Sequence, residues 1–239
     1  MNLWWAGSSG RRCACCQRVC GRLLHGPLRG QWWIVGRANH GCWLGSYGFA
    51  KQRRFAELVK PGAVVYDIGA HVGFYTLLAA TRVGPRGRVV AFEPLPRNLA
   101  FLRMHVSMNG MTNVVIQAVA VADHHGIQRF DDSAGPSEGH LAAEGSLVVE
   151  CVTLDELVAS GEIPPPDLIK IDVEGAELMV LRAGEATIRT HKPIIFLATH
   201  GADVHAPCCA WLEDVGYRLT NLDGESIHAC SELLALPAL

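Results

Sequence analysis

The 239-residue chain has no apolar run approaching the ~20 residues that a helix needs to cross a membrane, so no membrane span is expected. It has no excess of either charge. Lys and Arg number 21 against 23 Asp and Glu, a formal net charge of -2, and no basic footprint for nucleic acid stands out. The start, Met1-Asn2-Leu3-Trp4-Trp5, lacks the charged segment and long apolar core of a secretory signal. The nine cysteines, an odd count, are accordingly expected as reduced thiols in a cytoplasmic protein. Four of them cluster as Cys13-x-Cys15-Cys16-x-x-x-Cys20, without a clean C-x-x-C pair or a second knuckle, so the cluster is not read as a zinc site.

Residues 1–42 are rich in Gly, Trp and Arg with no helical or strand period, and read as an irregular N-terminal extension. Residues 43–239 read as one domain, and from residue 51 onward the pattern is regular. Helices are expected at 51–59, 73–82, 96–109, 154–159, 176–190 and 204–215. Strands are expected at 64–68, 88–92, 114–121, 167–173 and 193–199. Residues 123–152 break the rhythm with turn signals and read as an inserted hairpin or long loop. A final hairpin is expected from 218–222 and 225–229 across Asp223-Gly224. Near-continuous apolar strands alternating with helices imply a doubly wound, mostly parallel α/β sheet, buried on both faces, with an antiparallel pair at its end.

The stretch Val64-Val65-Tyr66-Asp67-Ile68-Gly69-Ala70-His71-Val72-Gly73-Phe74-Tyr75 carries the most information. An apolar strand ends in an acid, a glycine turn follows, and an apolar helix begins. Twenty residues after Gly73, Glu93 ends the next apolar run. That is the layout of a nucleoside-binding crevice. A dinucleotide site prefers G-x-G-x-x-G, because a pyrophosphate must approach bare backbone at a helix N-terminus. Here the spacing is Gly69-x-x-x-Gly73, with His71 where such a fold wants glycine. The turn therefore suits a cofactor without phosphates, and S-adenosylmethionine fits. Gly69 allows the sharp turn, and Glu93 offers a carboxylate to the ribose hydroxyls.

In an open α/β sheet, ligands lie beyond the carboxyl ends of the strands. Those ends carry Asp67, Glu93, Asp172 with Glu174, and Thr199 with His200. Methyl transfer to an alcohol needs approach geometry and somewhere for the hydroxyl proton to go. His200 and Asp172 are the candidate bases, with Glu174 beside them. As acids opening a helix, Asp172 and Glu174 also suit the helix dipole. Two carboxylates one residue apart have the donor chemistry of a divalent-ion site, but without further ligands no metal is expected. Lys170 shares a face with Asp172 by the two-residue period, and if buried needs Glu93, Asp172 or Asp67 as partner.

Four segments together resemble one family: Asp67-Ile-Gly-Ala-His-Val-Gly-Phe-Tyr-Thr, Ala91-Phe-Glu93-Pro94, Ala118-Val-Ala120, and Leu168-Ile-Lys170-Ile-Asp172-Val-Glu174-Gly175-Ala-Glu177. They look like the FkbM-type S-adenosylmethionine-dependent methyltransferases, over roughly residues 43–222. The resemblance implies a class I methyltransferase fold of seven strands, S-adenosylmethionine as cofactor, and O-methylation of a hydroxyl on a sugar or secondary metabolite. It places adenine near Ala118. The expected cofactor-binding residues are thus Asp67, Gly69, Ala70, His71, Gly73, Glu93 and Ala118. The expected catalytic ones are Asp172, His200 and Glu174, acting on a small-molecule or glycan acceptor. The chain departs from the family's habits at three places, with His71 for Asn, Ala198 near an expected Glu, and Gly48 for an acid.

Two other classes compete. A nicotinamide-dependent oxidoreductase would need a turn fit for pyrophosphate, which residues 70–72 do not offer. A non-catalytic cofactor-binding interaction module would use Trp4, Trp5, Trp32, Trp33 and Trp43 as a docking arm.

Overall fold

The structure is a computed structural model, and it describes residues 11–12, 19–35, 48–131, 140–141, 145, 147–222, 227 and 230–238. In chain order the strands are β1 (Arg11–Arg12), β2 (Val19–Arg22), β3 (Trp32–Ile34), β4 (Val64–Ile68), β5 (Arg88–Phe92), β6 (Val114–Gln117), β7 (Ala120–Val121), β8 (Gly126–Asp131), β9 (His140–Leu141), β10 (Leu147–Val152), β11 (Leu168–Ile171), β12 (Ile194–Ala198), β13 (Tyr217–Asn221) and β14 (Glu232–Pro237). The helices are α1 (Phe49–Leu58), α2 (Phe74–Val83), α3 (Pro96–Met108), α4 (Leu154–Ala159), α5 (Glu177–Ala183), α6 (Glu185–His191) and α7 (Ala202–Asp214).

Seven strands form the central sheet in the order β13-β14-β12-β11-β4-β5-β6. All its pairings are parallel except those of β14, which runs against both β12 and β13. Central strands such as Val64–Ile68 and Leu168–Ile171 are apolar almost throughout because helices cover both faces. One core lies on the face covered by α4–α7, built around Ile68, Ile169, Leu181 and Leu212. The other lies on the face covered by α1–α3, built around Phe55, Leu77, Val89 and Phe196. Local signals set the helix ends. Pro96 opens α3 at a position that needs no N–H donor. The Thr153 side chain accepts from the Glu156 N–H at 3.1 Å to cap α4.

Several expectations are corrected. The stretch read as irregular includes a three-stranded antiparallel sheet, β1-β2-β3. Within it Trp33, Cys20 and Leu28 are buried in the second core, so Trp33 is unavailable to a docking arm. Trp4, Trp5, Trp43, Cys13, Cys15 and Cys16 lie outside the described residues. The expected strand 114–121 is two strands in different sheets, β6 and β7. The expected helix 176–190 is broken at Gly184, where a side chain would meet Leu154 at 3.0 Å. The 123–152 insertion supplies β8 and β10 to a second sheet of order β7-β10-β8-β9. The closing antiparallel partner of β13 is not 225–229, most of which lies outside the described residues, but β14. Leu233, Leu234 and Ala235 of β14 are fully buried, and their apolar run is what inserts it between β12 and β13. Among the described residues, no helix is long and apolar enough to cross a membrane.

Candidate active site

The carboxyl ends of β4, β5, β11 and β12 open into one crevice, a cavity of about 300 Å³. Its first wall is the turn from β4 to α2. Gly69 has φ +75°, and a Cβ there would lie 1.9 Å from the Asp172 carbonyl oxygen. No residue but glycine permits that approach, which draws the ends of β4 and β11 together. His71 follows in the left-handed region at φ 52°. The turn is secured by Glu93, whose Oε2 accepts from the His71 N–H at 2.7 Å. Glu93 Oε1 accepts from the Leu95 N–H at 2.9 Å and from Asn98 Nδ2 at 3.2 Å. A carboxylate has about four acceptor sites. The acceptor position left over is on Oε2, and Glu93 lines the crevice. Burial pushes the Glu93 carboxyl above its usual range, although the three donors oppose it.

Beneath the turn, Lys170 is almost wholly buried on β11. Its Nζ lies 3.1 Å from Asp67 Oδ1 and 3.7 Å from Asp172 Oδ2. The parallel register sets Lys170 directly against Asp67. Burial disfavours its charge, but the two carboxylates outweigh that and raise its affinity for the proton. Asp67 is fully buried and also accepts from the Thr76 hydroxyl at 2.6 Å. It is therefore the anchor of the turn rather than part of the crevice lining.

The opposite wall carries Asp172, Glu174 and His200. Asp172 Oδ1 and Glu174 Oε2 lie 3.7 and 3.5 Å from His200 Nε2. Burial alone would raise the Asp172 carboxyl. Lys170 and Lys51, with His200 and His71, overcome this and hold it below the usual carboxylate range. His200 is raised above its ordinary value, first by its hydrogen bond to Glu177, against an opposing effect of burial, and then by the charges of Glu174, Glu177 and Asp172. One donor atom from each of Asp172, Glu174 and His200 lies within 4.8 Å of the others. That spacing admits a cation; it equally serves a proton shared among a histidine and two carboxylates. The lysines already facing Asp172 supply positive charge to the cluster.

Of the expected site residues, the crevice is lined by Gly69, Ala70, His71, Glu93, Asp172, Glu174 and His200. Asp67 and Gly73 lie behind it. Gly73 has φ +96°, and a Cβ there would strike Leu102 at 2.5 Å, so its role is to let α2 start against α3. Ala118 is exposed and does not line the crevice; Val119, Ala120 and Val121 do. The sequence reading missed Lys51, Glu232, Phe130 and Glu177. Lys51 on α1 pairs with Glu232 Oε1 of β14 at 2.5 Å and sits 3.9 Å from Asp172 Oδ2. Phe130 of β8 closes the crevice from the second sheet. Glu177 lies beneath His200. Only Glu177 left a signal, as the last residue of the Asp172-Val-Glu-Gly-Ala-Glu177 run.

A seven-stranded sheet with one reversed strand, a glycine turn after β4 and an acid ending β5 defines a class I methyltransferase fold. The chain spans the methyltransferase FkbM domain over residues 67–219, and it belongs to that family. The family's cofactor is S-adenosylmethionine, and the phosphate-free turn fits it. The hexuronic acid methyltransferase AglP of Haloferax volcanii is 29% identical over 154 residues, 63% of this chain and 62% of that protein. The 31-O-demethyl-FK506 methyltransferase FkbM of Streptomyces tacrolimicus is 29% identical over 161 residues, 53% of this chain and 61% of that protein. The chain thus spans about six-tenths of the length of these curated relatives. The crystal structure of an FkbM methyltransferase from Methylobacillus flagellatus superposes with a TM-score of 0.52 at 16% identity, covering 84% of this chain and 56% of that one.

Proposed function

We propose that this protein transfers a methyl group from S-adenosylmethionine to a hydroxyl oxygen of a sugar or secondary-metabolite acceptor, a small molecule or a glycan. The observation that carries this reading is the juxtaposition of two kinds of wall in one crevice. On one side lie a bare glycine turn and a ribose-type carboxylate, Glu93; on the other lies a histidine between two carboxylates. The relatives' names, which specify a hexuronic acid and 31-O-demethyl-FK506, agree with an oxygen acceptor.

The Gly69-Ala70-His71 turn and Glu93 would hold the cofactor, together with Val119, Ala120 and Val121, which line the crevice where Ala118 does not. Asp67, through Lys170, and Gly73, through α3, keep that turn in shape. The cofactor supplies a methyl already activated on a sulfonium sulfur, which keeps the bonding electron pair when the methyl leaves. The chain's own task is to orient the hydroxyl and take its proton. His200 Nε2 is the acceptor of that proton, with Asp172 and Glu174 stabilising the imidazolium that results.

The test begins with calorimetric binding of S-adenosylmethionine and its demethylated product, against NAD as control. Glu93→Ala is expected to weaken product binding by ~10- to 100-fold, the scale of hydrogen bonds to a charged group. Incubation of candidate acceptors with isotopically labelled cofactor, followed by mass spectrometry, then identifies what gains the label. NAD binding in preference to the sulfonium cofactor, or unaltered affinity in Glu93→Ala, removes the basis of the reading.

A further inference from the structure

We propose that Glu177 is a positioning residue of this site. Its buried carboxylate fixes the tautomer and orientation of His200, so that Nε2 faces the crevice as a bare acceptor. The proposal rests on the methyltransferase reading above, and it deepens that reading by naming the residue that keeps His200 Nε2 free to accept the proton.

Glu177 is the first residue of α5 and has no exposed surface. Its Oε1 accepts from the Gly175 N–H at 3.0 Å and lies 2.7 Å from His200 Nδ1. An ionised carboxylate only accepts, so the proton between them belongs to Nδ1. Nε2 is then left without a proton in the neutral ring, and it is the nitrogen that points toward Asp172 and Glu174. A buried carboxylate on one histidine nitrogen, with the other nitrogen toward the reacting group, is the arrangement that orients catalytic imidazoles in general. The backbone makes the pairing possible. Glu174 and Gly175 both take positive φ, at 53° and 104°, and the chain turns back sharply enough to set Glu177 under His200.

The bland alternative is a helix cap. In that case Glu177 serves only the Gly175 N–H and contacts His200 incidentally. The bond to His200, at 2.7 Å shorter than the 3.0 Å bond to Gly175, and the full burial of Glu177 argue for a carboxylate committed to the imidazole. The charged groups around His200 are Glu177 from α5, and Asp172 and Glu174 from the loop after β11. Lys170 and Lys51 stand at the other oxygen of Asp172, His71 also acts on Asp172 electrostatically, and Cys208 of α7 lies near Glu177. Of these, Glu177 makes the one hydrogen bond to the ring and has the largest influence on its proton affinity.

The experiment needs no acceptor. Protein labelled with ¹⁵N in its histidine rings is titrated by NMR, with the His200 signals assigned from their loss in His200→Gln. The expected neutral form carries its proton on Nδ1. In Glu177→Gln, which keeps size and one acceptor oxygen but loses the charge, the His200 midpoint is expected to fall by about one pH unit. Affinity for the demethylated cofactor should stay within about twofold, since Glu177 lies outside the cofactor wall. A wild-type ring with its neutral-form proton on Nε2 overturns the proposal, whatever the fate of the variant. So does a His200 midpoint unmoved in a folded Glu177→Gln protein, and so does selective broadening of the His200 signals by micromolar Mn²⁺, which would give Nε2 to a cation. Failure of the wild type to bind the sulfonium cofactor is a separate result. It removes the functional reading, while the tautomer still decides whether Glu177 positions His200.

Discussion

Lys170 shows how one residue ties the turn to the rest of the sheet. Its ammonium is sealed under the crevice between Asp67 and Asp172, and the Tyr75 ring lies 5.3 Å above it. Removing one partner of such a buried pair leaves the other charge uncompensated, at about 3–5 kcal/mol. Lys170→Met is therefore expected to lower unfolding stability by roughly that amount, measured by urea denaturation, because Asp67 is left fully buried with only the Thr76 hydroxyl. The double variant Lys170→Met with Asp67→Asn should recover part of the loss, since no isolated charge remains. An additive double variant would mean that the two groups do not act as a pair. The alternation of side chains along a strand places Lys170 and Asp172 on one face, and three carboxylates were open to it as partners. What excludes Glu93 is strand order, since β11 abuts β4 and not β5. No local pattern encodes which strands become neighbours. Glu177 stood in the family-like run, but its pairing with His200 was hidden for a similar reason. Its place under His200 depends on two consecutive residues at positive φ, and one of them is Glu174, a residue type that seldom adopts it.

At the level of elements, the N-terminal sheet is held by a histidine. The ring of Trp33 on β3 stacks on His105 of α3 at a centroid distance of 4.0 Å. His105 Nδ1 lies 2.7 Å from the Val72 carbonyl, and its Nε2 accepts from the Ile34 N–H at 3.1 Å. The imidazole must be neutral to accept from Ile34, and burial lowers its pKa from 6.5 to about 4, against the pull of Val72. The unfolded chain takes up this proton near pH 6.5 and the folded one only near 4. Stability is thus fully present above the unfolded value and is lost as pH falls through this window. The loss attributable to His105 amounts to ~3 kcal/mol on the scale of one unit per 1.36 kcal/mol. Thermal or chemical denaturation of wild type and His105→Gln should show a stability gap at pH 7.5 that narrows by about that amount by pH 4. A gap constant over the whole range would mean that His105 is not docked as a neutral ring. β2 and β3 are only four and three residues long, too short for any period to show, and that is why this sheet read as irregular. β14 was missed for the opposite reason. The turn signal at Asp223-Gly224 is strong, and the apolar Leu233-Leu234-Ala235 run that actually pairs stands well beyond it.

On the scale of the molecule, the crevice is a joint between two sheets. The central sheet provides the turn, Glu93 and the His200 wall. The smaller β7-β10-β8-β9 sheet provides Ala120, Val121 and Phe130, and a buried cluster with Leu95 and Cys151 joins it to the end of β5. A ligand that touches both sheets must stabilise their mutual arrangement and leave the N-terminal sheet, which docks on α3, largely unaffected. Saturation with the demethylated cofactor at 100 times its dissociation constant is expected to raise unfolding stability by about 2.7 kcal/mol. Hydrogen exchange read by mass spectrometry then locates the gain. Protection should rise at residues 69–73, at 93–95 and at 120–121, while residues 19–35 change little. Protection confined to 69–73 and 93–95 would separate the small sheet from the cofactor. Val119–Val121 and Phe130 would then face the acceptor alone, and the choice of substrate would lie in the insertion between β7 and β10.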